Sequence, residues 1–165
     1  MTTLFRLRTV LQLAGVLLLV AICTQRVEPS NAGDEKPDPK LDPTFGSVKL
    51  KAGFEPDPYV KDVVAGGSIK TDLAGVTAYI DKAPDFRLTY EAGEFVLTIR
   101  TEAKEDTTLH ILTPDGKWIA DDDGGGFPNA RIQFKKPQSG VYNIYVGTFG
   151  KEAAKAKLII TELKN

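Results

Sequence analysis

The chain has 165 residues, of which 42% are hydrophobic and 26% are charged, the composition of one ordinary globular domain. Its 21 basic and 22 acidic side chains give a formal charge of −1, so no net field attracts nucleic acid or anionic lipid. The composition excludes a fibrous or wholly disordered chain. The near-neutral charge predicts no nucleic-acid partner.

The N-terminal segment, residues 1–23, has the pattern of a signal peptide or an N-terminal anchor. Two arginines precede the apolar run VLQLAGVLLLVAIC (10–23), which is shorter than the about 20 residues that span a membrane. Cleavage after Ala32, lipid attachment at Cys23 and an uncleaved anchor all remain open. Each predicts an exported protein in the periplasm, the cell envelope or outside the cell, with membrane contact only through this segment.

Residues 24–44 follow, with the sequence TQRVEPSNAGDEKPDPKLDPT. They contain four prolines and five acidic side chains and few apolar residues. Such a composition cannot bury enough surface to offset the entropy lost on ordering. The sequence therefore predicts a disordered linker over 24–44 and a folded domain over 45–165.

Within that domain, apolar residues recur with a period of two, as in EFVLTIR (94–100) and VYNIYVG (141–147). This period is typical of half-buried β-strands. Turn sequences such as the Pro-Asp-Gly at 114–116 separate the strands at short intervals. We therefore predict an all-β fold, an antiparallel jelly-roll-like β-sandwich of about eight or nine strands. The predicted core residues are Phe95, Leu97, Ile99, Leu109, Ile111, Ile132, Phe134, Tyr142, Ile144, Val146, Leu158 and Ile160.

Catalytic side chains are scarce in this sequence. The one histidine, His110, lies in TTLHIL, where the alternation predicts that it faces outward, and no serine stands in a G-x-S-x-G elbow. The one cysteine, Cys23, lies in the N-terminal segment, so we predict no zinc site. A carboxylate-based hydrolase would need a distant partner such as Asp106 or Asp85 for the acidic run at 121–123. We predict that the protein is not an enzyme and keep this hydrolase as the alternative.

The segment WIADDDGGGFPNARIQF (118–134) suggests a calcium site. Calcium takes six to eight oxygen ligands in flexible geometry, and an acidic, glycine-rich loop supplies carboxylates and a backbone that can bend. The spacing does not match an EF-hand. The predicted oxygen ligands are Asp121, Asp122, Asp123, Asn129 and Asp106. The other interpretation is a tight turn with a solvated acidic tip.

Several aromatic residues are candidates for a surface that binds a protein or polysaccharide ligand. Most aromatic side chains of a sandwich belong to its core, and we expect this of Tyr59, Tyr79, Tyr90 and Tyr145. Phe127 and Phe149 stand in glycine-flanked loops, which makes them the two that we expect to be exposed.

Residues 106–149 resemble the bacterial pre-peptidase C-terminal domain, a β-sandwich appended to secreted peptidases. The matching elements are Asp106, the strand of Leu109 and Ile111, the turn at 114–116, the acidic loop with Asn129, and SGVYNIYV at 139–146. Together with GFEPDP (53–58), VVAGG (63–67) and APDFRLTYEAG (83–93), the resemblance covers residues 45–163. We expect this to be the accessory module standing alone, without a peptidase domain. Related calcium-dependent collagen-binding sandwiches favour calcium, but their ligands do not map onto this sequence.

These patterns combine into one functional hypothesis. The sequence predicts an exported, non-catalytic β-sandwich module with a binding or structural role, stabilised by Ca²⁺. A second alternative is a structural envelope protein held by a lipid on Cys23.

Overall fold

The computed structural model describes residues 35–163, which form eleven β-strands and, over that range, no helix. No helix there is long and apolar enough to cross a membrane. The predicted signal segment lies outside the described residues. In chain order the strands are β1 (Ser47–Lys51), β2 (Tyr59–Ala65), β3 (Ile69–Leu73), β4 (Val76–Ile80), β5 (Phe86–Glu91), β6 (Leu97–Ala103), β7 (Thr107–Leu112), β8 (Trp118–Asp121), β9 (Arg131–Phe134), β10 (Gly140–Thr148) and β11 (Ala154–Thr161).

The strands form two sheets. The seven-stranded sheet has the order β1-β5-β10-β4-β3, and β7 pairs with both β10 and β8; the four-stranded sheet has the order β2-β11-β6-β9. All pairs are antiparallel except β1 with β5, which are parallel. The predicted all-β sandwich is confirmed, with eleven strands where eight or nine were expected.

The main core fills the space between the two sheets. It contains ten of the twelve predicted core residues as buried side chains, and Phe134 packs against them while partly buried. Phe95 is the exception, because 52% of its surface is exposed. Strand β6 begins at Leu97, so the chain has not yet entered the sheet at Phe95, and the alternation of EFVLTIR extends two residues beyond the strand.

A second, smaller core lies on the outer face of the seven-stranded sheet. Here the β3–β4 hairpin covers the face, and its Ile69, Ala78 and Ile80 cluster with Tyr145 of β10. The ring of Trp118 packs at 5.4 Å from that of Tyr145.

His110 lies under this hairpin, so its predicted outward position on the surface is wrong. It faces away from the main core, as the alternation implies, but it is fully buried. Its Nε2 lies 3.1 Å from the carbonyl oxygen of Val76, and its Nδ1 is buried with no hydrogen-bond partner. Because a carbonyl only accepts, Nε2 carries the proton and the neutral imidazole is the form that fits. Burial lowers the pKa of His110, while the Val76 carbonyl and the charge of Asp72 act in the opposite direction.

The long strand β10 is paired along one edge by β7 from Asn143 to Thr148. Its other edge is paired by β5 up to Ile144 and again by β4 at Thr148. In the gap, the Val146 N–H donates to the carboxylate of Asp85 (2.7 Å), and the Val146 carbonyl accepts from the Gly66 N–H (2.9 Å). The fully buried Asp85 carboxylate and the Gly66 N–H thus make the hydrogen bonds to Val146 that a neighbouring strand would otherwise make.

The described part of the predicted linker, residues 35–44, lies against the sandwich. The Arg87 guanidinium donates to the carbonyls of Pro39 (2.7 Å) and Leu41 (2.8 Å). This differs from the disordered linker predicted over 24–44. Main-chain hydrogen bonds also hold this segment, from the Asp38 N–H to the Lys82 carbonyl (2.7 Å) and from the Thr44 N–H to the Pro84 carbonyl (2.9 Å). A composition argument based on apolar burial does not detect such bonds.

The start of β6 can be tested with two alanine substitutions. Leu97→Ala should lower the free energy of unfolding by about 2–5 kcal/mol, because it leaves a cavity in the main core. Phe95→Ala should cost less than about 1 kcal/mol, because the ring is half exposed. Urea unfolding of both variants measures the difference, and equal losses would place Phe95 in the core.

His110 should make the domain less stable in mild acid. Because its pKa is lowered in the folded state, the unfolded chain binds the proton first, and stability falls as pH drops below about 6.5. The substitution His110→Gln retains a donor for the Val76 carbonyl and removes the titration. Urea unfolding from pH 7.5 to 5 should therefore show a steeper loss in the wild type than in His110→Gln. Parallel curves would show that His110 does not titrate differently on folding.

Candidate metal centre

Three loops meet at one end of the sandwich, which we call the acidic end: residues 104–106, 122–130 and 149–153. The Thr107 N–H donates to the Pro128 carbonyl (3.0 Å), and the Phe149 N–H donates to the Asp106 carbonyl (3.3 Å). The loop at 104–106 is therefore fixed between the other two.

The acidic loop is braced by two of the predicted metal ligands. One carboxylate oxygen of Asp121, Oδ2, accepts from the N–H groups of Gly124 (2.7 Å) and Arg131 (2.8 Å), which closes the loop across its base. The side-chain oxygen of Asn129 accepts from the Ala103 N–H (2.7 Å) and so attaches the loop to β6. Both side chains serve the architecture of the loop.

The glycine run has a steric explanation. A Cβ on Gly124 would lie 2.7 Å from both carboxylate oxygens of Asp121, so a side chain there would displace the brace. Gly126 has a φ of +89°, a backbone conformation that residues other than glycine rarely adopt. A Cβ on Gly125 would lie 2.8 Å from the Asn129 carbonyl oxygen. The three glycines are therefore required by the fold of the loop, whatever the loop binds.

Three other carboxylates come together beside this brace. Asp106, Asp122 and Asp123 each offer an oxygen, and these oxygens lie within 4.8 Å of one another. The Oδ1 atoms of Asp106 and Asp122 are buried and have no hydrogen-bond partner. Among the ion pairs of residues 35–163, none involves these three side chains. The cluster thus holds negative charge that the described protein atoms do not balance.

The electrostatics of the cluster follow from its burial and from mutual repulsion. Desolvation raises the pKa of Asp122, and the neighbouring charges of Asp106, Asp123 and Asp121 raise it further. The pKa of Asp106 is raised by desolvation and then by the charge of Asp123. A cation among these oxygens would relieve both effects.

The donor set fits a hard divalent cation. Three carboxylates supply between three and six oxygens, and Ca²⁺ completes a shell of six to eight with carbonyls or water. Mg²⁺ demands a near-ideal octahedron and gives up its water reluctantly, so a cluster of loop carboxylates suits it less well. Of the five predicted ligands, the structure brings together Asp106, Asp122 and Asp123, and metal binding itself stays a prediction.

The residues considered for catalysis are placed elsewhere. The buried His110 has no access to solvent, and Asp85 is enclosed at the edge of β10, where desolvation raises its pKa well above the ordinary value. Of the two partners that a hydrolase was expected to need, only Asp106 reaches the acidic run.

Comparison with known proteins gives a weak structural similarity only. No protein-family model and no curated protein matches the chain. The fold has a weak similarity to the crystal structure of PliG from Aeromonas hydrophila, described as a periplasmic lysozyme inhibitor of g-type lysozyme. The two chains are 14% identical, with a TM-score of 0.37, over 73% of this chain and 98% of the other. The resemblance to the pre-peptidase C-terminal domain stays a prediction.

Substitutions of the adjacent residues Asp121 and Asp122 should have opposite effects on stability in metal-free solution, because only Asp121 braces the loop. Asp122→Asn should raise the melting temperature in EDTA at pH 7, because it removes a desolvated charge from a repulsive cluster. Asp121→Ala should lower the free energy of unfolding by about 1–3 kcal/mol, because two main-chain donors lose their acceptor. Thermal and urea unfolding in EDTA measure both effects, and equal destabilisation by the two changes would contradict this division of roles.

Proposed function

We propose that this protein is a non-catalytic β-sandwich module of an exported protein, and that it binds Ca²⁺ through Asp106, Asp122 and Asp123. The observation that carries the proposal is the convergence of three carboxylates, two of them with buried oxygens that have no partner. Buried polar atoms of proteins are almost always satisfied. Five other buried side-chain atoms of residues 35–163 also lack a partner, and these two differ from them in being carboxylate oxygens of one three-carboxylate cluster.

The position of the cluster gives the ion a structural role. Asp106 precedes β7, while Asp122 and Asp123 follow β8, so one ion would link two loops that are distant in sequence. Its binding energy would then add to the folding energy, because the unfolded chain does not hold these oxygens together. Calcium would make the acidic end rigid and prepare it for contact with a ligand.

The same geometry gives less support to the carboxylate hydrolase. Glycosidases place two carboxylates on opposite sides of the scissile bond, and one of them keeps a proton while the other is charged. Here the carboxylates converge on one point. The proposed location, in the periplasm, the envelope or outside the cell, rests on the charge and hydropathy pattern of residues 1–23.

Calcium should stabilise the purified protein. At 100 times the dissociation constant, one bound ion contributes about 2.7 kcal/mol, which for a domain of this size raises the melting temperature by several degrees. The rise should occur in millimolar Ca²⁺, be smaller in equimolar Mg²⁺, and disappear in the variant that carries Asp106→Asn, Asp122→Asn and Asp123→Asn. Differential scanning calorimetry in EDTA, Ca²⁺ and Mg²⁺ gives the three values.

Asp115→Asn is the matched control, because Asp115 is an acidic turn residue whose carboxylate pairs with Lys117 outside the cluster. It should keep the full calcium response. An unchanged melting temperature for the wild type in Ca²⁺ would rule out the metal site and leave a solvated acidic turn. Hydrolytic activity lost in Asp122→Asn but kept in Asp115→Asn would favour the hydrolase.

A further inference from the structure

Two phenylalanines at the acidic end are exposed to solvent, as the sequence predicts. Phe127 is 77% exposed and Phe149 is 60% exposed, the highest values among the large exposed hydrophobic residues of the described chain. Isolated apolar side chains on a surface are common, and one of them alone would need no explanation.

Their placement sets these two apart from scattered surface residues. Phe149 donates its N–H to the Asp106 carbonyl, and Pro128, the residue after Phe127, accepts from the N–H of Thr107. The two phenylalanines thus stand on loops that are bonded to two consecutive residues, one loop to Asp106 and the other to Thr107. The acidic loop is also closed internally, because the Gly126 N–H donates to the Asp123 carbonyl (2.8 Å). Backbone hydrogen bonds therefore hold both rings on ordered loops, which lowers the entropic cost of binding through them.

The net charge around the rings is negative. The three loops of the acidic end carry five carboxylates and two lysines, a net charge of −3, and one bound Ca²⁺ would leave −1. A surface that stays negative with or without the ion repels phosphate groups, and therefore nucleic acid and anionic lipid. It attracts a partner that carries positive charge.

We propose that the acidic end is a docking surface for a cationic segment of a partner protein, which places an apolar or guanidinium group against Phe127 and Phe149 and its charges near the surrounding carboxylates. This inference rests on the proposed binding role and names the partner class. Aromatic anchors dominate the energy of many interfaces, arginine packs well on aromatic rings, and complementary charge raises the rate of association.

The test is selection from a phage-displayed library of random dodecapeptides. The calcium-loaded wild type is the target, and the double variant Phe127→Ser, Phe149→Ser is used for counter-selection. Enriched peptides are then synthesised, and their affinity is measured by fluorescence polarisation in Ca²⁺ and in EDTA. Phe95→Ser is the matched control, because Phe95 is an exposed phenylalanine that lies before β6, outside the three loops.

The enriched peptides should carry net positive charge together with an aromatic or aliphatic residue. Their affinity should fall about tenfold or more in the double variant, stay unchanged in Phe95→Ser, and weaken as NaCl is raised from 50 to 500 mM. Failure to enrich such peptides, or enrichment of neutral or acidic ones, would overturn the proposal. So would retention on neutral glucan or galactan gels that depends on the two phenylalanines, since it would assign the surface to a sugar.

The calcium melt separates this inference from the function on which it rests. The double variant keeps all three cluster carboxylates and should show the full calcium response. Peptide binding without a calcium response would retain the docking surface and remove the metal. A calcium response without selected peptides would retain the metal site and overturn the docking surface.

Discussion

The fold depends on how strand β10 is hydrogen-bonded along both edges. Three strands pair with it, and where β5 ends and β4 has not begun, the Asp85 carboxylate and the Gly66 N–H bond to Val146. An unpaired main-chain group at this buried position would cost more than a typical hydrogen bond gains, so the gap must be filled. With the gap filled, β4 pairs with β10 only at Thr148, and the β3–β4 hairpin covers the outer face of the sheet. The second core and the burial of His110 both follow from this break in the ladder.

The sequence predicts the parts of this fold that depend on local alternation. Leu109, Ile111 and Ile144 are each correctly placed in the main core, because the sheet has one continuous buried face and the pattern has period two. The pattern does not predict that the opposite face is buried as well. His110 is on the face that the alternation indicates, but a hairpin from a distant part of the sequence covers it. The wrong prediction for Phe95 has a similar cause, because the alternation does not mark where a strand begins.

At the candidate site, too, the sequence predicts one part and the structure is needed for the rest. The sequence identifies the acidic loop and the distant Asp106, and the structure brings Asp106 beside Asp122 and Asp123. Composition does not separate a carboxylate that braces its own loop from one whose oxygen has no hydrogen-bond partner, because both are aspartates beside glycines. The separation comes from main-chain hydrogen bonds, which Asp121 accepts and the Oδ1 of Asp122 does not. No spacing rule for calcium loops contains that information.

The carboxylate cluster depends on the brace formed by Asp121. Asp121 closes the loop with hydrogen bonds to Gly124 and Arg131, and this closure holds the next two aspartates beside Asp106. The closed loop therefore contains carboxylates that repel one another, and the main-chain bonds offset that repulsion. A cation bound in the cluster, as proposed, would remove this repulsion between carboxylates, and the relief would add to its affinity. Under the proposed function, the loop would therefore add more to the stability of the sandwich with a cation bound than without one.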